Sequence, residues 1–114
     1  MAACIFCAIA NGQGRATVVH HDDLVTAFRD VNPQAPTHIL VIPNEHIASV
    51  AEIGEAQGEL LGRLFAVANQ LAAREGIAAG GYRLVINAGR DAGQSVPHLH
   101  LHLLGGRHFR WPPG

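Results

Sequence analysis

The seven residues His98-Leu99-His100-Leu101-His102-Leu103-Leu104 constrain this chain more than any other stretch. Side chains alternate faces along a strand, so this pattern sets three imidazoles on one side and leucines on the other. Neighbouring rings then sit roughly 6.5–7 Å apart, two residues at a rise of ~3.3 Å each. In a helix the same spacing would scatter the rings around the axis. Residues 98–104 are therefore expected as a strand, with Leu99, Leu101 and Leu103 turned to a core.

The rest of the chain supplies partners for that strand. Residues 5–9 read as a short amphipathic helix, ended by Asn11-Gly12-Gln13-Gly14. Residues 17–20 and 24–29 form a hairpin around Asp22-Asp23. The link 30–36 carries Pro33 and Pro36, which oppose helix and ladder alike, and a third strand spans 38–42. Residues 55–75 have the longest helical periodicity: Leu60, Leu64, Val67 and Leu71 form one stripe, and Leu61, Phe65, Ala68 and Ala72 the next. Gly76 supplies a stop. So wide an apolar face exceeds what one sheet covers. Gly58, Gly62 and Ala66 are either tolerated small residues or a row where a second backbone approaches; the helix is expected to pack across a dimer interface as well. A fourth strand spans 82–87, and a polar loop, 88–95, leads into the histidines. The expectation is an α+β fold: a five-stranded, mostly antiparallel sheet with one long and one short helix.

At 114 residues the chain is expected to form a single domain, 1–114, with a core that needs no disulfide. Formal charge is −1, so no basic stripe recruits nucleic acid. No apolar run approaches the ~20 residues that cross a membrane. The N-terminus does not read as a secretory signal, which points to the cytoplasm. All the basic side chains other than histidine are arginine, so lysine Schiff-base and P-loop chemistry are excluded. Cys4 and Cys7 form a CxxC pair that no strand precedes, unlike a thioredoxin motif. Two readings stand: half of a zinc site, or two small apolar residues.

Three clustered imidazoles could ligate a metal, or one could attack phosphorus and form a phospho-histidine. The second chemistry needs a ring fixed in one tautomer and donors around the phosphoryl oxygens. Crowded rings depress one another's pKa and keep a nucleophile unprotonated. Gly93-Gln94-Ser95, just before the histidines, offers backbone N–H groups and a hydroxyl to an anion.

The residues resemble the histidine triad (HIT) superfamily. Beside His98–His102 the resemblance rests on Phe28-Arg29-Asp30, on 33–38 (Pro-Gln-Ala-Pro-Thr-His), on Gly93-Gln94-Ser95-Val96, on Gly105-Gly106-Arg107 and on Trp111-Pro112-Pro113-Gly114. Together these span almost the whole chain and are similar to the HINT branch, purine nucleoside phosphoramidases. The resemblance implies a homodimer with joined sheets and a purine nucleotide substrate whose P–N bond is cleaved, with no cofactor required for catalysis.

By position it implies His100 as nucleophile, His98 orienting it through its carbonyl, His102 on the phosphate and His38 completing the cluster. Asp30 is suited to the ribose hydroxyls. Asn87, Gly93, Gln94, Ser95 and Val96 would surround the phosphate, while Ile5, Phe6, Ile9, Phe28, Val31 and Leu40 would enclose the base. Trp111 would reach over the partner's site and shape which amine is accepted. Some bacterial HIT proteins hold a structural zinc with such a cysteine pair and two histidines; the matching residues are Cys4, Cys7, His46 and His98. One departure is Pro97, where the branch often has an aromatic residue. Two alternatives share part of the pattern: a dinucleoside polyphosphate hydrolase, and a nucleotide-binding interaction module with vestigial activity.

Overall fold

The computed structural model describes residues 4–114, so residues 1–3 of the N-terminal reading lie outside the described residues. Helix α1 (Ile5–Ala10) is followed by β1 (Val18–His21), β2 (Val25–Arg29), β3 (Thr37–Pro43), the long helix α2 (Gly58–Arg74), β4 (Tyr82–Ile86) and β5 (Leu101–Gly105). The strands form one antiparallel sheet in the order β1-β2-β3-β5-β4. This is the α+β architecture expected from the residue pattern. Among the described residues no helix is long and apolar enough to cross a membrane.

The alternation in β3 and β5 divides the core in two. Val25, Ala27, Ile39, Val41, Leu99, Leu101 and Leu103 turn to one face, where Leu64, Val67, Leu71 and Ala72 of α2 cover them. On the other face Phe28, Leu40 and Ile42 meet Phe6 and Ile9 of α1. Since α1 is only 6 residues long, it covers part of that face and leaves the histidine region open beside it.

Helix α2 is shorter than the periodicity suggested. Residues Glu55–Gln57 form a separate 3₁₀ turn, and α2 starts at Gly58. It ends as expected of a glycine stop. Gly76 has φ +76°, its N–H donates to the Ala73 carbonyl at 3.2 Å, and the Ile77 N–H reaches Ala72 at 3.0 Å. That double closure satisfies the last carbonyls, and Ile77 is buried against the core. Asp22 ties α2 to the first hairpin: it accepts from His20 at 2.6 Å, from Arg63 at 2.7 Å, and from the Leu24 and Val25 N–H groups. Burial opposes its ionisation, but these donors outweigh burial and hold the carboxyl well below the usual range.

The histidine stretch differs from expectation in one respect. The paired strand begins at Leu101, not His98, and runs to Gly105. On one side its partner β4 ends at Ile86, opposite Leu101. On the other side Val41 pairs with Leu101, and Pro43, two residues on, has no N–H to extend the ladder. The Leu99 N–H turns instead to the Ile47 carbonyl at 2.6 Å. His98 and His100 thus lie on an extended lead-in whose direction still matches the strand, because Leu99 is as buried as Leu101 and Leu103.

Candidate active site

Hydrogen bonds assign a tautomer to each imidazole of the open face. His100 is buried, and its Nδ1–H donates to the His98 carbonyl at 2.8 Å. Its Nε2 therefore carries a lone pair, and His100 lines a cleft of about 270 Å³. The Gln34 N–H donates to His38 Nδ1 at 3.1 Å, so the proton of His38 sits on Nε2. That proton is donated to His102 Nδ1 at 2.9 Å, with an Asp30 oxygen 3.4 Å from the same His38 nitrogen. His102 in turn keeps its proton on Nε2. The result is a nucleophilic nitrogen beside a donor, with the His100 and His102 ring centroids 5.0 Å apart.

Burial favours the neutral forms of His102 and His38. Burial depresses the His102 pKa to about 4, with His100 and His38 adding to the effect and Asp30 opposing it. Burial likewise lowers His38, against the pull of Asp30. As pH falls, the unfolded chain takes up these protons first. Stability is therefore complete above about pH 6.5, the ordinary histidine value, and declines as pH falls towards 4. Urea midpoints measured between pH 4 and 7 should show this decline, and His102→Gln should make it shallower.

The cleft gathers most of the residues expected around a nucleotide. Ile5, Phe6, Ile9, Phe28, Val31 and Leu40 form its apolar part. Asp30, Ser95, His100 and His102 supply its polar groups, and Val96 also lines it. Phe6 packs edge-on against Phe28 at 5.3 Å and against His100 at 5.2 Å, so one ring braces both wall and nucleophile.

Other expected residues lie elsewhere. The Gly93 N–H donates to the Arg90 carbonyl at 3.0 Å and the Gln94 N–H to Gly89 at 3.1 Å, so neither is directed at the cleft. The Gln94 side chain donates to the carbonyls of Ala48 and Val96 and accepts from the Gly89 N–H. It fastens the loop that presents Ser95 and Val96. Asn87 lies across His102 in a second cleft, with Arg83, Val85, Arg107 and Phe109. Trp111 is 82% exposed and lines neither cleft. Sequence reasoning missed Arg15, Ala16 and Arg29, which also line the nucleotide-sized cleft. No motif marks Arg15; only the path of the loop after α1 brings it there.

Behind the triad, Cys4, Cys7, His46 and His98 converge. Cys4 Sγ is 3.4 Å and Cys7 Sγ 3.5 Å from His98 Nδ1, and Cys7 Sγ is 3.3 Å from His46 Nδ1. A tetrahedral zinc with Zn–S near 2.3 Å and Zn–N near 2.0 Å has S···N edges of about 3.5 Å. The His98 Nε2–H donates to the Pro43 carbonyl at 2.9 Å, which leaves Nδ1 as a lone pair facing the sulfurs. Donor set, spacing and tautomer all fit a closed Cys₂His₂ site. A second acidic and imidazole group, Asp30, His38 and His102, lies nearby. With the Gln34 N–H on His38 Nδ1, its 2.9 Å contact between ring nitrogens is a hydrogen bond that uses the His38 proton and the His102 Nδ1 lone pair.

A sheet with one helical face, and a tautomer-fixed histidine cluster on the other, defines a histidine triad protein. The HIT domain family matches residues 11–109, and the chain belongs to it. The chain is 52% identical over 103 residues to the purine nucleoside phosphoramidase of Escherichia coli (strain K12), covering 90% of this chain and 87% of the relative. It is 50% identical over 112 residues to the 14 kDa zinc-binding protein of Zea mays, covering 96% and 87%. A HIT family hydrolase from Legionella pneumophila Philadelphia 1 superimposes with a TM-score of 0.96 at 51% identity, covering 98% of this chain and all of that one.

Proposed function

We propose that this chain, a single domain over residues 1–114, hydrolyses the P–N bond of purine nucleoside 5′-phosphoramidates, giving a nucleoside 5′-monophosphate and an amine. The observation that carries this reading is the His100 tautomer. Its Nδ1–H is fixed on the His98 carbonyl, so Nε2 points a lone pair into a cleft with an apolar wall. The 52% identity to a purine nucleoside phosphoramidase supports the choice of substrate.

In the first step His100 Nε2 attacks phosphorus as the bond to the amine nitrogen breaks; the amine takes a proton from solvent as it departs. The ring then carries a positive charge, and its Nδ1–H bond to the His98 carbonyl strengthens as that charge develops. His102 Nε2–H, the Ser95 hydroxyl and the backbone around Ser95-Val96 face the phosphoryl oxygens. In the second step water attacks phosphorus, the bond to Nε2 breaks and neutral His100 returns, the water proton passing to solvent. Asp30 receives the ribose hydroxyls, and Ile5, Phe6, Ile9, Phe28, Val31 and Leu40 enclose the base.

Zinc on Cys4, Cys7, His46 and His98 would tie α1 to the residue whose carbonyl orients the nucleophile; its coordination is closed, so its chemistry is structural. The likeness to a zinc-binding protein supports this. No cofactor is assigned to catalysis itself, and neither nucleic acid nor membrane is assigned as partner in what we read as a cytoplasmic enzyme. A homodimer would cover the exposed Phe65 and the open row at Gly58 and Gly62, and would bring Trp111 near the partner's cleft.

The test is a comparison of substrates. Adenosine 5′-phosphoramidate should be turned over with a kcat/KM at least roughly a hundredfold above that for diadenosine tetraphosphate. The reverse order would move the assignment to a dinucleoside polyphosphate hydrolase. Failure to turn over either would leave a nucleotide-binding module.

A further inference from the structure

Two guanidiniums line the nucleotide cleft, and they differ in one respect. Arg29 is fully engaged: its two terminal nitrogens meet the two Glu75 carboxylate oxygens at 2.8 and 2.9 Å. Arg15 has no carboxylate partner among the described residues. It lines the cleft, and its chain neighbours Gly14 and Ala16 lie against Ile9 and the Phe6, Ile9 and Phe28 cluster that forms the apolar wall.

The backbone that presents Arg15 is firmly held. Just before it, the N–H groups of Gln13 and Gly14 both donate to the Ala8 carbonyl, at 2.8 and 3.2 Å, and that of Gly12 donates to Ile9 at 3.1 Å. A Cβ at Gly14 would lie 2.6 Å from the Ile9 side chain and 3.1 Å from its backbone nitrogen, so only glycine lets the loop lie this close to α1. On the other side Ala16 packs against the cluster of Phe6, Ile9 and Phe28. Arg15 is thus an exposed cation on an anchored loop, beside the apolar wall that takes the base.

The donors of a guanidinium form a planar fork, and guanine, unlike adenine, offers two adjacent acceptors, O6 and N7, on one edge. Adenine places its N6 amino donor where guanine has O6. We infer that Arg15 reads the acceptor edge of guanine and makes guanosine 5′-phosphoramidates the preferred substrates of the site. This rests on the phosphoramidase reading above and adds to it the identity of the base.

The experiment compares guanosine and adenosine 5′-phosphoramidate, with calorimetric Kd values for GMP and AMP alongside, in the wild type, Arg15→Ala and Arg15→Gln. The wild type should favour the guanosine substrate in kcat/KM, and GMP in affinity, by roughly tenfold. Arg15→Ala should bring both ratios to about one, with the change in KM and Kd rather than kcat. Arg15→Gln should carry the ratios below one, because a carboxamide pairs with adenine N6 and N7. A wild-type ratio at or below one, or ratios unchanged in both variants, would overturn the inference. If neither amidate is hydrolysed but the nucleotides bind, the phosphoramidase reading fails while the binding ratios still decide the role of Arg15. If neither nucleotide binds, both fail.

Discussion

Replacing His100 with alanine should lower kcat for adenosine 5′-phosphoramidate by at least about 10⁴-fold, the scale on which loss of a covalent nucleophile acts. The expected loss is large because no neighbour can substitute. His102 presents an N–H rather than a lone pair towards the phosphate, since its Nδ1 is occupied by His38. His98 directs Nε2 to the Pro43 carbonyl and Nδ1 to the cysteine sulfurs, away from the cleft. Mass spectrometry of wild-type protein quenched during turnover, without acid, should show a nucleotidyl adduct on His100 that is missing in the variant. An alanine variant retaining more than a tenth of the wild-type rate would exclude nucleophilic catalysis by this ring. Folding is separable from chemistry here. His100 lies outside the main core under α2, so the thermal midpoint of the variant reports on structure independently of rate.

Much of this arrangement was legible in the chain itself, because alternation is a local rule. Leucine at 99, 101 and 103 fixed which side of the histidine segment meets α2, and that fixed where the imidazoles point. The point at which pairing begins was not legible. It depends on Pro43, far away in sequence, lacking the N–H that would have extended the ladder past Leu101. Gln94 shows the same limit from the side of the site. A glutamine before the triad suggests a phosphate contact, but its amide is held by residues 48, 89 and 96, a set that only the folded loop assembles. Arg15 carries no motif at all. Its place on the wall of the cleft depends on the close approach of Gly14 to Ile9, which composition cannot indicate.

The second large effect should come from the cysteines. Protein purified without chelator should hold about one equivalent of zinc, and Cys4→Ala combined with Cys7→Ala should reduce this below a tenth. The sheet and α2 form a core of their own, so the variant should remain folded rather than collapse as an isolated zinc finger does. Burial and the neighbouring Cys4 push the Cys7 thiol up, so without metal Cys7 contributes no charge to hold His46 and His98. The thermal midpoint should fall by about 10 °C, equivalent to a few kcal/mol for a domain of this size. Activity should fall too, through position and not through chemistry. Freed from the metal, His98 can shift the carbonyl that holds His100 Nδ1–H, and the nucleophile then samples the wrong tautomer. kcat should therefore drop by roughly tenfold or more while the Kd for nucleotide changes little. A metal-free wild type with an unchanged midpoint and rate would show that the four ligands converge without a cation and that His98 is held by Pro43 alone.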